Sequence, residues 1–239
     1  MLILPLTSAQ RVQRFGDFRY FASPQASNPE HVTVLDGWAE QNIVHVECPQ
    51  LKSMFGRESV NLHYKAKASF LALWQAWDDD GVLDIVETFD GAWSPRFKRG
   101  RAPVVPAGST APVYAHPTAT LSNHAWGTAF DVDAKRYPLG RPAASDAPIR
   151  RLFERALEHG WFPGALFRGR PDPMHFEFVG AAPPHDRVSA ARALAAHALV
   201  PGLRRNEIRA AQKLIGVTPD GEPGKVTMAR VREILGGSI

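Results

Sequence analysis

Two short segments hold the residues with the clearest chemical potential: SNHAWGTAFDVDA, from Ser122 to Ala134, and PDPMHFEF, from Pro171 to Phe178. The first pairs His124 with a carboxylate seven residues later, Asp131, and the second places Asp172 three residues before His175. Two imidazoles and one carboxylate make a three-ligand set that leaves the fourth position of a zinc ion to water, as catalytic zinc requires. Zinc held in this way lowers the pKa of its water to roughly 7 and polarises a carbonyl. Hydrolysis also needs a base outside the metal shell. Asp172 is the candidate, because Pro171 and Pro173 restrict the backbone on either side of it. Arg96, in the loop after Trp93, offers a fixed positive charge to a developing oxyanion or to a substrate carboxylate.

These groups must be brought together by strands. If GTAFDVDA is extended, alternation sends Thr128, Phe130 and Val132 to one face and Ala129, Asp131 and Asp133 to the other. In MHFEF the same rule separates Met174, Phe176 and Phe178 from His175 and Glu177, so the two polar faces can meet across a sheet. Glu177 and Asp133 remain open to two readings, as supports of the metal ligands or as solvent-facing groups. Spacing alone also leaves the histidines open, since isolated His and Asp residues are common on surfaces and in cores. The lone cysteine, Cys48, excludes an intrachain disulfide and a cysteine-based zinc site, and its apolar surroundings in IVHVECPQL suit a buried thiol.

The rest of the chain supplies the frame. Its 239 residues, 44% apolar and 10% aromatic, suffice for one sizeable core and a smaller second one. A net charge of +4 favours an anionic partner, but no compact basic run interleaved with aromatics points to nucleic acid. MLILPL lacks the features of a signal peptide, and no apolar run approaches a membrane span. The expectation is a soluble monomer made in a cytoplasm without its own export signal.

Strands are expected in FRYF, NIVHVECPQL and LDIVETFDGAW, and a long Pro- and Gly-rich loop from Ser94 to Pro117. Helical spacing in YKAKASFLALWQAW, through Ala68, Leu71, Trp74 and Ala76, predicts a core helix; its tryptophans suit core packing better than sugar stacking. A second helix is expected at 149–159, with Leu152, Phe153, Ala156 and Leu157 inward and Gly160 as its stop. The Pro- and Ala-rich stretch GAAPPHD marks a boundary, followed by helical VSAARALAAHAL, NEIRAAQKLIGV and VTMARVREIL around the turn TPDGEPG.

At Ser122, His124, Gly127, Ala129 and Asp131, and again at Asp172, His175, Phe176 and Glu177, the sequence resembles the zinc D-Ala-D-Ala carboxypeptidase and L-alanyl-D-glutamate peptidase family, which includes phage endolysins. The resemblance implies one zinc ion on His124, Asp131 and His175, with Asp172 as catalytic base. It further implies Arg96 as a group contacting substrate or transition state, and Ser122 as a substrate-side residue. Many carboxypeptidase members carry Glu and Trp where this chain has Asp172 and Met174, a departure that is closer to the endopeptidase branch. The tail resembles a three-helix peptidoglycan-binding module through Asp220, Gly221, Gly224 and Thr227, with Pro223 where an aromatic is usual.

The implied fold is α+β, a small antiparallel sheet flanked by helices, over residues 1–180, then a linker at 181–187 and an all-α three-helix unit at 188–239. The implied activity is cleavage within peptidoglycan stem peptides after release onto the cell wall. D-alanyl-D-alanine carboxypeptidase activity and non-catalytic wall binding are the alternatives.

Overall fold

The fold comes from a computed structural model that describes residues 4–105, 109–142, 147–180, 187–199, 203 and 205–236. Helix α1 (Ser8–Phe15) starts at a capping box in which the Thr7 hydroxyl accepts from Gln10 N and the Gln10 side chain accepts from Thr7 N. Strands β1 (Tyr20–Ala22) and β2 (Val32–Val34) pair antiparallel, and a short helix α2 (Trp38–Asn42) leads into β3 (Ile43–Glu47). The strand expected through NIVHVECPQL ends at Glu47. Pro49 opens helix α3 (Pro49–Phe55) instead, where its missing N–H costs nothing at the first helical position. Gly56, with φ 64°, stops that helix, and β4 (Ser59–His63) returns along β3 as a hairpin.

Helix α4 (Lys67–Asp79) is the expected core helix, with its buried stripe at Phe70, Leu73, Trp74 and Trp77. That stripe shares only Trp74 with the sequence expectation. Trp74 and Trp77 are fully buried, so both serve the core. The stretch expected as a strand from Leu83 begins instead as a 3-10 turn (Val82–Ile85), and only β5 (Phe89–Gly91) is extended. Within the expected 94–117 loop, β6 (Val113–Tyr114) adds a third strand beside β1. Single bridges also join His31 to Arg96 and Phe97 to Leu121, so this loop is anchored.

The site is carried by a four-stranded antiparallel sheet in the order β5-β7-β9-β8, formed with β7 (Ala129–Val132), β8 (Trp161–Pro163) and β9 (His175–Phe178). Phe130 and Phe176 stack with ring centroids 5.2 Å apart, and Trp77 of α4 meets both rings edge-on. Helix α5 (Ala147–Glu158) closes the same side, its Leu152 carbonyl accepting from Trp77 Nε1 at 3.1 Å. Gly160, at φ 77°, follows it as the expected stop. The polar side of β7 and β9 is covered too: Ala129, His175 and Glu177 are buried, and only Asp131 is partly exposed. A central strand paired on both edges and covered on both faces has no solvent side for alternation to reveal.

Beyond residue 186 come α6 (Arg187–Leu199), α7 (Arg205–Ile215) and α8 (Lys225–Ile234). They bury their own apolar cluster, built on Leu194, Ile208, Ala211, Ile215 and Val231, apart from the main core. Of the expected linker, residues 181–186 lie outside the described residues. Among the described residues no helix is long and apolar enough to cross a membrane.

Candidate metal centre

His124 sits on a 3-10 turn (Asn123–Trp126) that ends at Gly127, φ 64°. A Cβ on Gly127 would stand 2.7 Å from His63 N and from Ile43 Cδ1, so only glycine allows this close approach to the β3–β4 hairpin. The chain then enters β7, where Asp131 is the cross-strand partner of His175 on β9. Turn and register together converge three donor atoms. His175 Nδ1 lies 2.9 Å from Asp131 Oδ1 and 3.1 Å from His124 Nε2, and His124 Nε2 lies 3.2 Å from Asp131 Oδ1. Donors about 2.0–2.1 Å from a tetrahedral zinc stand about 3.3 Å from one another, so this trio fits the ion closely.

The outward sides of the ligands fit as well. His124 Nδ1 donates to the Ala92 carbonyl at 2.6 Å, which turns the lone pair of Nε2 inward. On His175 the inward atom is Nδ1, while Nε2 faces Glu177 Oε2 at 3.9 Å. Burial lowers the pKa of His124, whereas for His175 burial is outweighed by Asp131 and Glu177, which raise it to about 10. Burial likewise pushes Asp131 upward, and the two histidines overcome it and hold the carboxylate well below its usual range. Two imidazoles and a carboxylate packed this closely form a group that could hold a metal ion.

Asp172 is half-buried beside this cluster. Its N–H donates to Gly164 O at 2.9 Å and its carbonyl accepts from His175 N at 3.0 Å, so the base candidate and a ligand candidate share one turn. Burial raises its pKa against the pull of His175, and its buried Oδ1 has no hydrogen-bond partner among the described residues. Such a carboxylate, outside the trio and more basic than usual, suits proton transfer. Arg96 Nη2 stands 3.8 Å from Asp131 Oδ2, and burial lowers its pKa, with the Asp131 charge acting against this.

Ser122 is buried, and its N–H donates to Arg96 O at 3.0 Å, which links the arginine loop to the His124 turn. Asp133 lies just past β7 at φ 54°, its Oδ1 accepting from Glu87 N at 2.8 Å and Thr88 N at 2.7 Å. It fixes the approach to β5 and is not part of the trio. Glu177 is buried, accepts from Asn123 Nδ2, and has Arg11 of α1 as an electrostatic partner. Asn123 and Arg11 carry no motif that sequence reading would pick out. Ala92 contributes only a backbone carbonyl, which leaves no trace in residue type.

Residues 115–178 match a family model described as D-alanyl-D-alanine carboxypeptidase. The match spans His124, Asp131, Asp172 and His175 and ends with β9, while Arg96 and the three C-terminal helices lie outside it. Residues 115–178 are thus similar to a carboxypeptidase family, and the His124–Asp131–His175 cluster within them is a possible metal site. No curated protein and no solved structure matches the chain.

The C-terminal motif residues have an internal task. Gln212 of α7, fully buried, donates from Nε2 to Asp220 Oδ1 at 2.7 Å and to Thr227 Oγ1 at 3.1 Å, and its Oε1 accepts from Gly221 N at 2.8 Å. Gly221, at φ 83°, has no room for a Cβ, which would fall 2.4 Å from Arg205 Cγ, and Gly224 caps α8. Asp220, Gly221, Gly224 and Thr227 therefore shape the turn between α7 and α8. Gln212 was missed because glutamine is an ordinary helix residue; its place among Ile208, Ala211 and Ile215 on the buried stripe was the available signal.

Proposed function

We propose that this protein is a zinc-dependent peptidase that cuts within peptidoglycan stem peptides, as an endolysin does, acting on the cell wall after release from the cytoplasm where it is made. The observation that carries the reading is the convergence of His124 Nε2, Asp131 Oδ1 and His175 Nδ1 within 3.2 Å beside a carboxylate that stays outside the cluster. Zinc bound there supplies a Lewis acid for the scissile carbonyl and an acidified water. Asp172 accepts a proton on its carboxylate and returns it to the leaving amine, a task its burial-raised basicity favours. Arg96 places positive charge where oxyanion charge develops. The Ala92 carbonyl keeps His124 in one tautomer and one orientation. Asp172 and Met174, in place of Glu and Trp, support cleavage within the peptide.

The description of the matched family favours a second reading, removal of a terminal D-alanine. Mass spectrometry of digested muropeptides separates the two: new internal cleavage products are expected, and loss of terminal D-Ala alone refutes the endopeptidase reading. Asp172→Ala is expected to retain one zinc per chain while turnover falls about 10²–10⁴-fold. Loss of zinc in that variant would make Asp172 a metal ligand instead. Sedimentation of the helical region 188–239 with purified sacculi tests its proposed wall binding, and a soluble fraction equal to a sacculus-free control refutes it.

A further inference from the structure

Ala92 lines a cleft of about 210 Å³ between the β3–β4 hairpin and the segment leaving β5. Its polar lining consists of His45, Arg57, Ser59 and Asn61, with Trp93 as the apolar wall. Among the described residues no carboxylate lines it. The Arg57 guanidinium is set 5.2 Å over the Phe89 ring, and among the described residues no acidic group lies within ion-pairing distance of it. The floor is tied to both neighbours. Trp93 N donates to Asn61 O at 3.2 Å, Trp93 Nε1 to Ala125 O at 3.3 Å, and the Ala92 carbonyl accepts from His124 Nδ1 at 2.6 Å.

We propose that this cleft is a substrate subsite that takes one residue of the stem peptide by its free carboxylate, an inference that rests on the peptidase reading above. The volume is below the roughly 300–1,000 Å³ of whole-ligand pockets, which suits a single residue rather than an entire muropeptide. The donors have the matching chemistry. A guanidinium forks onto a carboxylate in plane, and the Asn61 amide and Ser59 hydroxyl provide neutral donors beside it. A phosphate of higher charge calls for a cluster of cations, and the cleft has one guanidinium. Ala92 lines the cleft and also holds His124 of the donor cluster through its carbonyl, so cleft and cluster are structural neighbours.

The test is calorimetric binding of the synthetic tetrapeptide L-Ala-γ-D-Glu-L-Lys-D-Ala to zinc-loaded full-length protein carrying Asp172→Asn, which slows turnover. The peptide is used with both carboxyls free, with the glutamyl α-carboxyl amidated, and with the C-terminus amidated. One amidation is expected to weaken binding roughly tenfold or more, and Arg57→Ala to weaken the free peptide equally while adding nothing to that amidated form. Arg57→Lys should restore part of the loss, and Lys52→Ala, outside the cleft, none should be lost. Thermal melting confirms that each variant is folded.

Equal affinity of Arg57→Ala and its parent for the free peptide overturns the proposal, as does an Arg57→Ala loss that persists in every amidated form. Competition by inorganic phosphate that is stronger than by acetate also overturns it, in favour of a phosphate site. Turnover of the same peptides by the wild-type chain is followed separately by mass spectrometry. Carboxylate-dependent binding without any cleavage leaves the subsite standing and removes the peptidase reading.

Discussion

Gly164→Ala should damage catalysis without replacing any side chain of the site. Gly164 opens the 3-10 turn after β8, and its carbonyl holds the Asp172 N–H. A Cβ at this position would stand 2.4 Å from Asp172 O and 3.1 Å from both Asp172 Cβ and Phe167 Cε2. Ordinary van der Waals contact begins near 3.4 Å, so the backbone of Asp172 must retreat by about 1 Å. Gly164 is not among the glycines with positive φ, so the strain comes from contact alone. A misplacement of about 1 Å in a catalytic group costs on the order of a hundredfold in rate, and overpacking of this kind costs about 1–3 kcal/mol of stability. The assay is turnover of purified muropeptides, with zinc per chain and melting temperature measured on the same sample. Since Asp172 O also accepts from His175 N, zinc content decides whether the base or the metal cluster has moved. Folded, zinc-loaded Gly164→Ala with turnover within about threefold of the parent would refute the placement of Asp172 as base.

Three further outcomes follow from other parts of the molecule. His63, whose Nε2 donates to Phe15 O at 3.0 Å, is pushed by burial from 6.5 to about 4, so it folds neutral. The unfolded chain binds its proton first, and stability that is complete above pH 6.5 is lost as pH falls towards 4, by up to about 3 kcal/mol. Urea midpoints at neutral and acidic pH measure this, and the dependence should shrink in His63→Asn. Glu177→Gln removes the charge facing His175 Nε2 and is expected to weaken zinc binding about 10–100-fold in a chelator competition, with an unchanged affinity counting against the role. Gln212→Leu strands the Gly221 N–H and the Thr227 hydroxyl, and should destabilise the C-terminal helices by about 1–3 kcal/mol in denaturant unfolding.

The parts of this structure that were legible in sequence are those in which residue type and period carry the physics. Helix α4 was readable because a long apolar period has few alternatives, although its buried stripe shares only Trp74 with the one expected. The His124, Asp131 and His175 trio was readable as residue types, but its closeness depends on the Asp131–His175 register and on Gly127 admitting the hairpin, both long-range facts. Cys48-Pro49 was read as strand because the apolar alternation of β3 runs into it, while proline suits a helix start just as well. Strand β4 and the 94–117 anchors were hidden because short strands are defined by partners distant in sequence. Glu177 stayed ambiguous for the reason that both faces of β9 are covered.

The Gln212 network also says what a motif of this kind certifies. Asp220, Gly221 and Thr227 each hydrogen-bond to one buried glutamine, so the pattern specifies a turn geometry. Lys213, Leu214, Lys225 and Val226 are exposed and take no part in that network. The helical unit thus separates the alphabet that folds it from the alphabet that meets its surroundings. Replacing the outward residues of α7 and α8 should leave the scaffold intact, because the network that folds it lies beneath them.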